Sequence, residues 1–132
     1  MMEHAAVPSL EDFEALVQDA YRTLPERFRA LCGDLVIRVA DFADDEVLDA
    51  LGLQSPFDLL GLYQGVSLDL KSSLDLPQGP DMVFLYRRPI LDYRTATGET
   101  LEAIVTHVLV HEIGHHFGLS DADMARIESE AP

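Results

Sequence analysis

Between Leu101 and Phe117 the chain carries a segment that constrains the whole fold. Leu101, Ile104, Val105, Val108, Leu109, Val110, Ile113 and Phe117 spread apolar surface around nearly the full circumference of a helix. A helix that is apolar all round has to be enclosed by the rest of its domain. The same segment holds His111, Glu112 and His115, and burying such groups is costly unless something pairs with them. The string reads HExxH and continues through Gly118 and Asp121 as HExxHxxGxxD. On a helix, His111 and His115 lie one turn apart on one face, so their imidazoles can converge on one ion. Glu112 lies about 100° round from His111 and can reach a water on that ion. Two neutral nitrogen donors and one mobile carboxylate form the donor set of a zinc hydrolase. A core helix with internally satisfied polar groups is the competing reading.

The third ligand is set by the chain after the helix. Gly118 falls where a left-handed residue ends a helix, and the turn can bring Asp121 back toward the two histidines. Ser120 and Asp121 could equally cap a final helix over residues 122–129, with Ser120 and Asp123 resembling a capping box. Asp123 is the alternative ligand, and Glu128 and Glu130 rank below it on a charged tail. His107, one turn before His111, reads as a residue beside the site or in the core, since a fourth protein ligand would close the position water needs. His116 points about 100° away from His115 and is expected to pack elsewhere.

On these residues the chain resembles metzincin-like zincins, in which the third ligand follows a glycine turn. Together with LLGLYQG (Leu59–Gly65), Phe84–Pro89 (FLYRRP) and VHEIGHHFGLS (Val110–Ser120), it resembles more closely the small bacterial zincin-like "possible zinc metallopeptidase" family. The resemblance runs from about Phe28 to Ile127. It implies zinc held by His111, His115 and Asp121, with Glu112 as general base in peptide-bond hydrolysis. Metzincins also carry a methionine turn beneath the metal. Met124 is the methionine that follows the motif here, and it is too close to Asp121 for a turn of that length. A reduced cleft is therefore expected, and the second reading is a non-catalytic zinc-binding interaction module on the same scaffold. A hydrolase of small amides is a third. Histidine and carboxylate donors also admit iron, cobalt or manganese.

The chain's 132 residues suit one domain, read as residues 9–132 after a flexible Met1–Pro8. The net charge of −15 argues against nucleic acid and anionic membrane as partners and suits a peptide or protein substrate, with basic segments the sharper version of that reading. Cys32 is the lone cysteine, placed in the core by its apolar neighbours. With no signal-peptide pattern, the expected compartment is the cytoplasm.

The expected class is α+β: a minimal zincin-like domain with a small mixed sheet and a buried active-site helix. Ser9 opens a helix with an apolar stripe from Leu10 to Leu24. Pro25 starts a short turn through Leu31. Strands are expected at Leu35–Ala40, Leu59–Tyr63 and Met82–Tyr86, and a short helix from Asp44 or Asp45 to Gly52. Thr97 or Thr100 caps the long helix. The strand at Leu59–Tyr63, with the loop from Gln64 to Gly79, is the candidate edge for an extended peptide. Gly114 would admit a close strand. Tyr63, Tyr86 and Tyr93 are candidate oxyanion donors. Arg87 and Arg88 read as a solvated strand end.

Overall fold

The computed structural model describes residues 7–65 and 81–131; the loop residues 66–79 and residues 1–6 considered above lie outside them. The order is α1 (Leu10–Arg22), α2 (Glu26–Cys32), β1 (Val36–Ala40), α3 (Asp45–Ala50), a 3₁₀ turn (Pro56–Asp58), β2 (Gly61–Gln64), β3 (Met82–Tyr86), α4 (Arg87–Thr97), α5 (Leu101–His116) and α6 (Asp121–Glu130). This is a mixed α+β domain. Among the described residues no helix is long and apolar enough to cross a membrane.

The sheet order is β1-β3-β2, with β1 parallel and β2 antiparallel to β3. The central strand explains the two cores. Side chains alternate along a strand, so Val83 and Leu85 enter the main core with Phe13, Val17, Phe28, Ile104 and Leu109. Phe84 and Tyr86 face the other way, toward a small cluster built on Ala43 and Leu48. α5 packs against α1, α4, α6, β2 and β3, which encloses its apolar circumference.

The ends of α5 follow from local chemistry. The Thr100 hydroxyl accepts from the Ala103 N–H, so Thr100 rather than Thr97 is the cap. At the far end Gly118 takes φ +73°. Leu119 N–H donates to the Gly114 carbonyl and Gly118 N–H to that of His115, the pair of bonds that defines a Schellman turn. α6 then starts on the Ser120–Asp123 capping box and runs back along α5.

Three details depart from expectation. Arg87–Thr97 is a helix, not a strand end; Pro89 sits in its first turn, where a missing N–H costs nothing, and Gly98 closes it at φ +77°. β2 begins at Gly61 rather than Leu59. Gly114 admits a side chain of α6 rather than a strand: a Cβ there would stand 2.5 Å from Met124 Sδ and 2.8 Å from its Cγ. Cys32 is buried as expected.

Gly61 performs the same service for β2. A Cβ on it would lie 2.6 Å from Val108 Cγ1 and 3.0 Å from the Phe84 carbonyl oxygen, so the strand can lie this close to α5 only with glycine there. Gly61→Ala is expected to destabilise the fold by about 1–3 kcal/mol through overpacking, measured by urea unfolding; an unchanged midpoint would show that the strand and helix are free to part.

Candidate metal centre beside an edge strand

The His-Glu segment of α5 emerges from the core at a cleft of about 410 Å³, lined among others by Leu60, Gly61, Tyr93, His111, Glu112 and His115. β2 forms one wall. Its pairing register, Leu62 with Phe84 and Gln64 with Met82, and the Tyr86 N–H bond to the Leu60 carbonyl make the even-numbered residues the ones bonded to β3. In an antiparallel pair the alternate residues then turn their backbone groups outward, here Gly61 and Tyr63.

Glu112 is held at that wall. Its carboxylate takes a hydrogen bond from the Tyr63 backbone N–H. Burial pushes its pKa above the ordinary carboxylate value, while the Tyr63 N–H and nearby His115 pull it part of the way back. A carboxylate raised in this way is better matched to taking up a proton near neutral pH.

His111 is half-buried, and its pKa is lowered by burial first and by His107 second. Glu128, then Asp121, act in the opposite direction, and His115 adds a further lowering. The outcome favours neutral imidazole, the form that ligates metal. The His115 ring lies edge-on to that of His111 with centroids 5.7 Å apart, and the His107 ring lies 3.9 Å from His111 on the other side.

The α5–α6 hairpin decides which carboxylates arrive. With Met124 seated at Gly114, the antiparallel helices bring Glu128 beside the first histidines. His107 Nδ1 lies 2.9 Å from Glu128 Oε1, and His111 Nε2 lies 3.4 Å from Oε2. Among the described residues, the donor atoms lying within 4.8 Å of one another belong to His107, His111 and Glu128. His115 and Asp121 stand outside that group. Asp121 is the first residue of α6, exposed, and close enough for its charge to act on His111. Asp123 is engaged by the Ser120 cap and by Arg126.

Glu128, ranked low from the sequence, is therefore the carboxylate in contact with His111. The signal that could have found it is the hairpin itself: a tight turn at Gly118 between two antiparallel helices puts residues near 128 opposite 111. His107 is exposed rather than in the core. His116 packs away from the site, stacked on the Tyr63 ring at 4.0 Å, and the Tyr63 hydroxyl donates to Asp81. Tyr86 is buried. Of the three tyrosines, Tyr93 lines the cleft. Arg87 pairs with Asp41 at 3.3 Å, and the Arg88 guanidinium lies 6.0 Å from the Phe42 ring centre.

Histidines and a nearby carboxylate in a cleft beside a strand that is at the sheet edge among the described residues fit a divalent ion of zinc type, and they define a zincin-like arrangement. The sequence agrees: the zincin-like metallopeptidase family model matches residues 32–131, and the chain belongs to that family. A solved structure, a conserved hypothetical protein from Thermus thermophilus, shares the fold at TM-score 0.54 and 22% identity, covering 89% of this chain and 99% of its own. No curated protein matches the chain.

Wild-type protein dialysed against zinc is expected to retain about one ion per chain by elemental analysis. Glu112→Gln should keep it and His111→Ala should lose it; zinc retained without His111 would place the ion elsewhere.

Proposed function

We propose that this chain is a zinc-dependent peptidase whose substrate lies along β2. The observation that carries the reading is the position of Glu112, beside the HExxH histidines in a cleft whose wall is an edge strand. Zinc would be held by His111, His115 and Asp121. When bound it would supply Lewis acidity, lowering the pKa of a coordinated water toward about 7 and polarising the scissile carbonyl.

The chain's own residues supply the rest. An extended peptide can add to β2 through the outward backbone groups of Gly61. The absence of a side chain at Gly61 keeps that strand near Glu112, whose Cγ would be 3.5 Å from a Cβ placed there. Glu112 accepts the proton of the attacking water and passes it to the leaving amine as the C–N bond breaks. The Tyr63 N–H that now bonds Glu112 keeps the carboxylate on the strand side of the cleft. The Tyr93 hydroxyl is the tyrosine available to steady charge developing on the carbonyl oxygen.

Asp58 and Glu99 also line the cleft, and among the described residues no lysine or arginine does. In a chain of net charge −15, this supports a preference for peptides with a basic residue next to the scissile bond, because opposite charge in a groove favours both encounter and register.

A quenched-fluorescent peptide library tests the reading. Turnover by zinc-loaded wild type is expected, with Glu112→Gln reducing it at least about 100-fold while retaining the metal. Stoichiometric zinc with no turnover would instead assign a non-catalytic zinc-binding module.

Matched peptides differing only by lysine or glutamate beside the cleaved bond test the charge preference. The lysine peptide should have the higher kcat/KM in low salt, and the double variant Asp58→Asn/Glu99→Gln should narrow the gap. Equal rates for both peptides in wild type would remove the acidic lining from the account.

A further inference from the structure

We propose that His107, His111 and Glu128 form a second metal position, one helical turn from the HExxH position and sharing His111 with it. It rests on the reading of His111 as a metal ligand and does not require that the chain be a hydrolase.

The geometry is that of a ligand set. In a tetrahedral zinc site with ligand distances near 2.0–2.1 Å, neighbouring donor atoms are separated by about 3.3–3.4 Å. The Glu128 oxygens already stand 2.9 Å from His107 Nδ1 and 3.4 Å from His111 Nε2, and donors from all three residues fall within one 4.8 Å group. An ion entering between them would replace two His–carboxylate contacts with metal–ligand bonds, each made through the unprotonated nitrogen of a neutral imidazole. Two imidazoles and one carboxylate leave a fourth tetrahedral position to water.

Two helices bring the three residues together, and the His107 side chain is 55% exposed. His107 and His111 are locked one turn apart on α5. Glu128 comes from a different helix, held in register by the Gly118 turn and by Met124 seated at Gly114. Glu128 keeps 25% of its side-chain surface and His111 keeps 31%, so solvent can deliver an ion.

His111 Nε2 faces Glu128, and one ring nitrogen ligates one ion. Through that atom the two positions exclude each other. An ion at His107, His111 and Glu128 would lie one turn along α5 from His115, in the cleft that His107 also lines.

The test reads binding, without substrate. His115→Ala dismantles the HExxH pair and leaves the second position whole. Zinc titration of His115→Ala by calorimetry is expected to show one ion per chain, with Kd weakened by no more than about 100-fold relative to wild type. Adding Glu128→Gln, or separately His107→Gln, should weaken it at least a further tenfold. Cobalt(II) bound to His115→Ala should show the intense visible absorption of a four-coordinate site, lost on adding Glu128→Gln. His107 and His115 are both exposed, so these variants are expected to fold, and far-UV circular dichroism verifies it. Zinc uptake by wild type that disappears in His115→Ala overturns the second position and leaves the HExxH reading standing. Uptake by His115→Ala that is indifferent to both Glu128→Gln and His107→Gln overturns it as well. Whether Glu112→Gln turns over peptide bears on the hydrolase reading alone.

Discussion

The contact between Gly114 and Met124 is the constraint on which the site depends. α5 is apolar on most sides, so most of its surface must be covered, and α6 provides part of that cover. Only a glycine at 114 lets the fully buried Met124 side chain lie against the helix backbone. With the helices that close, the antiparallel register is fixed, and Glu128 arrives at His111 and His107. A side chain at 114 would push α6 outward and withdraw the carboxylate along with the apolar cover. Packing and chemistry are therefore set by the same few atoms.

A second close approach does the same work on the opposite wall. Gly61 brings β2 onto Val108 and Glu112, and the outward N–H of Tyr63 then finds the Glu112 carboxylate. The acid is partly desolvated yet has a backbone donor, which explains why its pKa is raised by burial and only partly restored. His111 shows the complementary case, an imidazole whose charged form is disfavoured by burial and by a neighbouring histidine. A raised carboxylate and a lowered imidazole side by side are the states that proton transfer and metal ligation respectively require.

Much of this was legible in the sequence because it is local. The C-terminal end of α5 follows from Gly118, its start is narrowed to Thr97 or Thr100, the capping box follows from Ser120 and Asp123, and β3 follows from its continuous apolar run Met82–Tyr86, read to the residue. α4 was missed because Pro89 argues against a helix unless it falls in the first turn, and that depends on where β3 ends. The two glycines were visible as letters, but what they make room for is a tertiary fact. Glu128 was hidden for the same reason: on its own helix it is one acid among several in a charged tail, and only the pairing of α6 with α5 singles it out. The motif placed the histidines and Glu112, whereas the carboxylate in contact with His111 could be found only once the hairpin was known.

The most direct test of the account is the position of the bound ion itself. Crystals of the zinc-loaded protein, measured on either side of the zinc absorption edge, should give an anomalous peak within ligand distance, about 2.0–2.1 Å, of a ring nitrogen of His111. It should lie on the side of α5 that faces Glu112 and β2. A peak that does not involve His111, or fully loaded crystals with zinc bound only at the acidic surface, would contradict the claim that this helix is a metal centre.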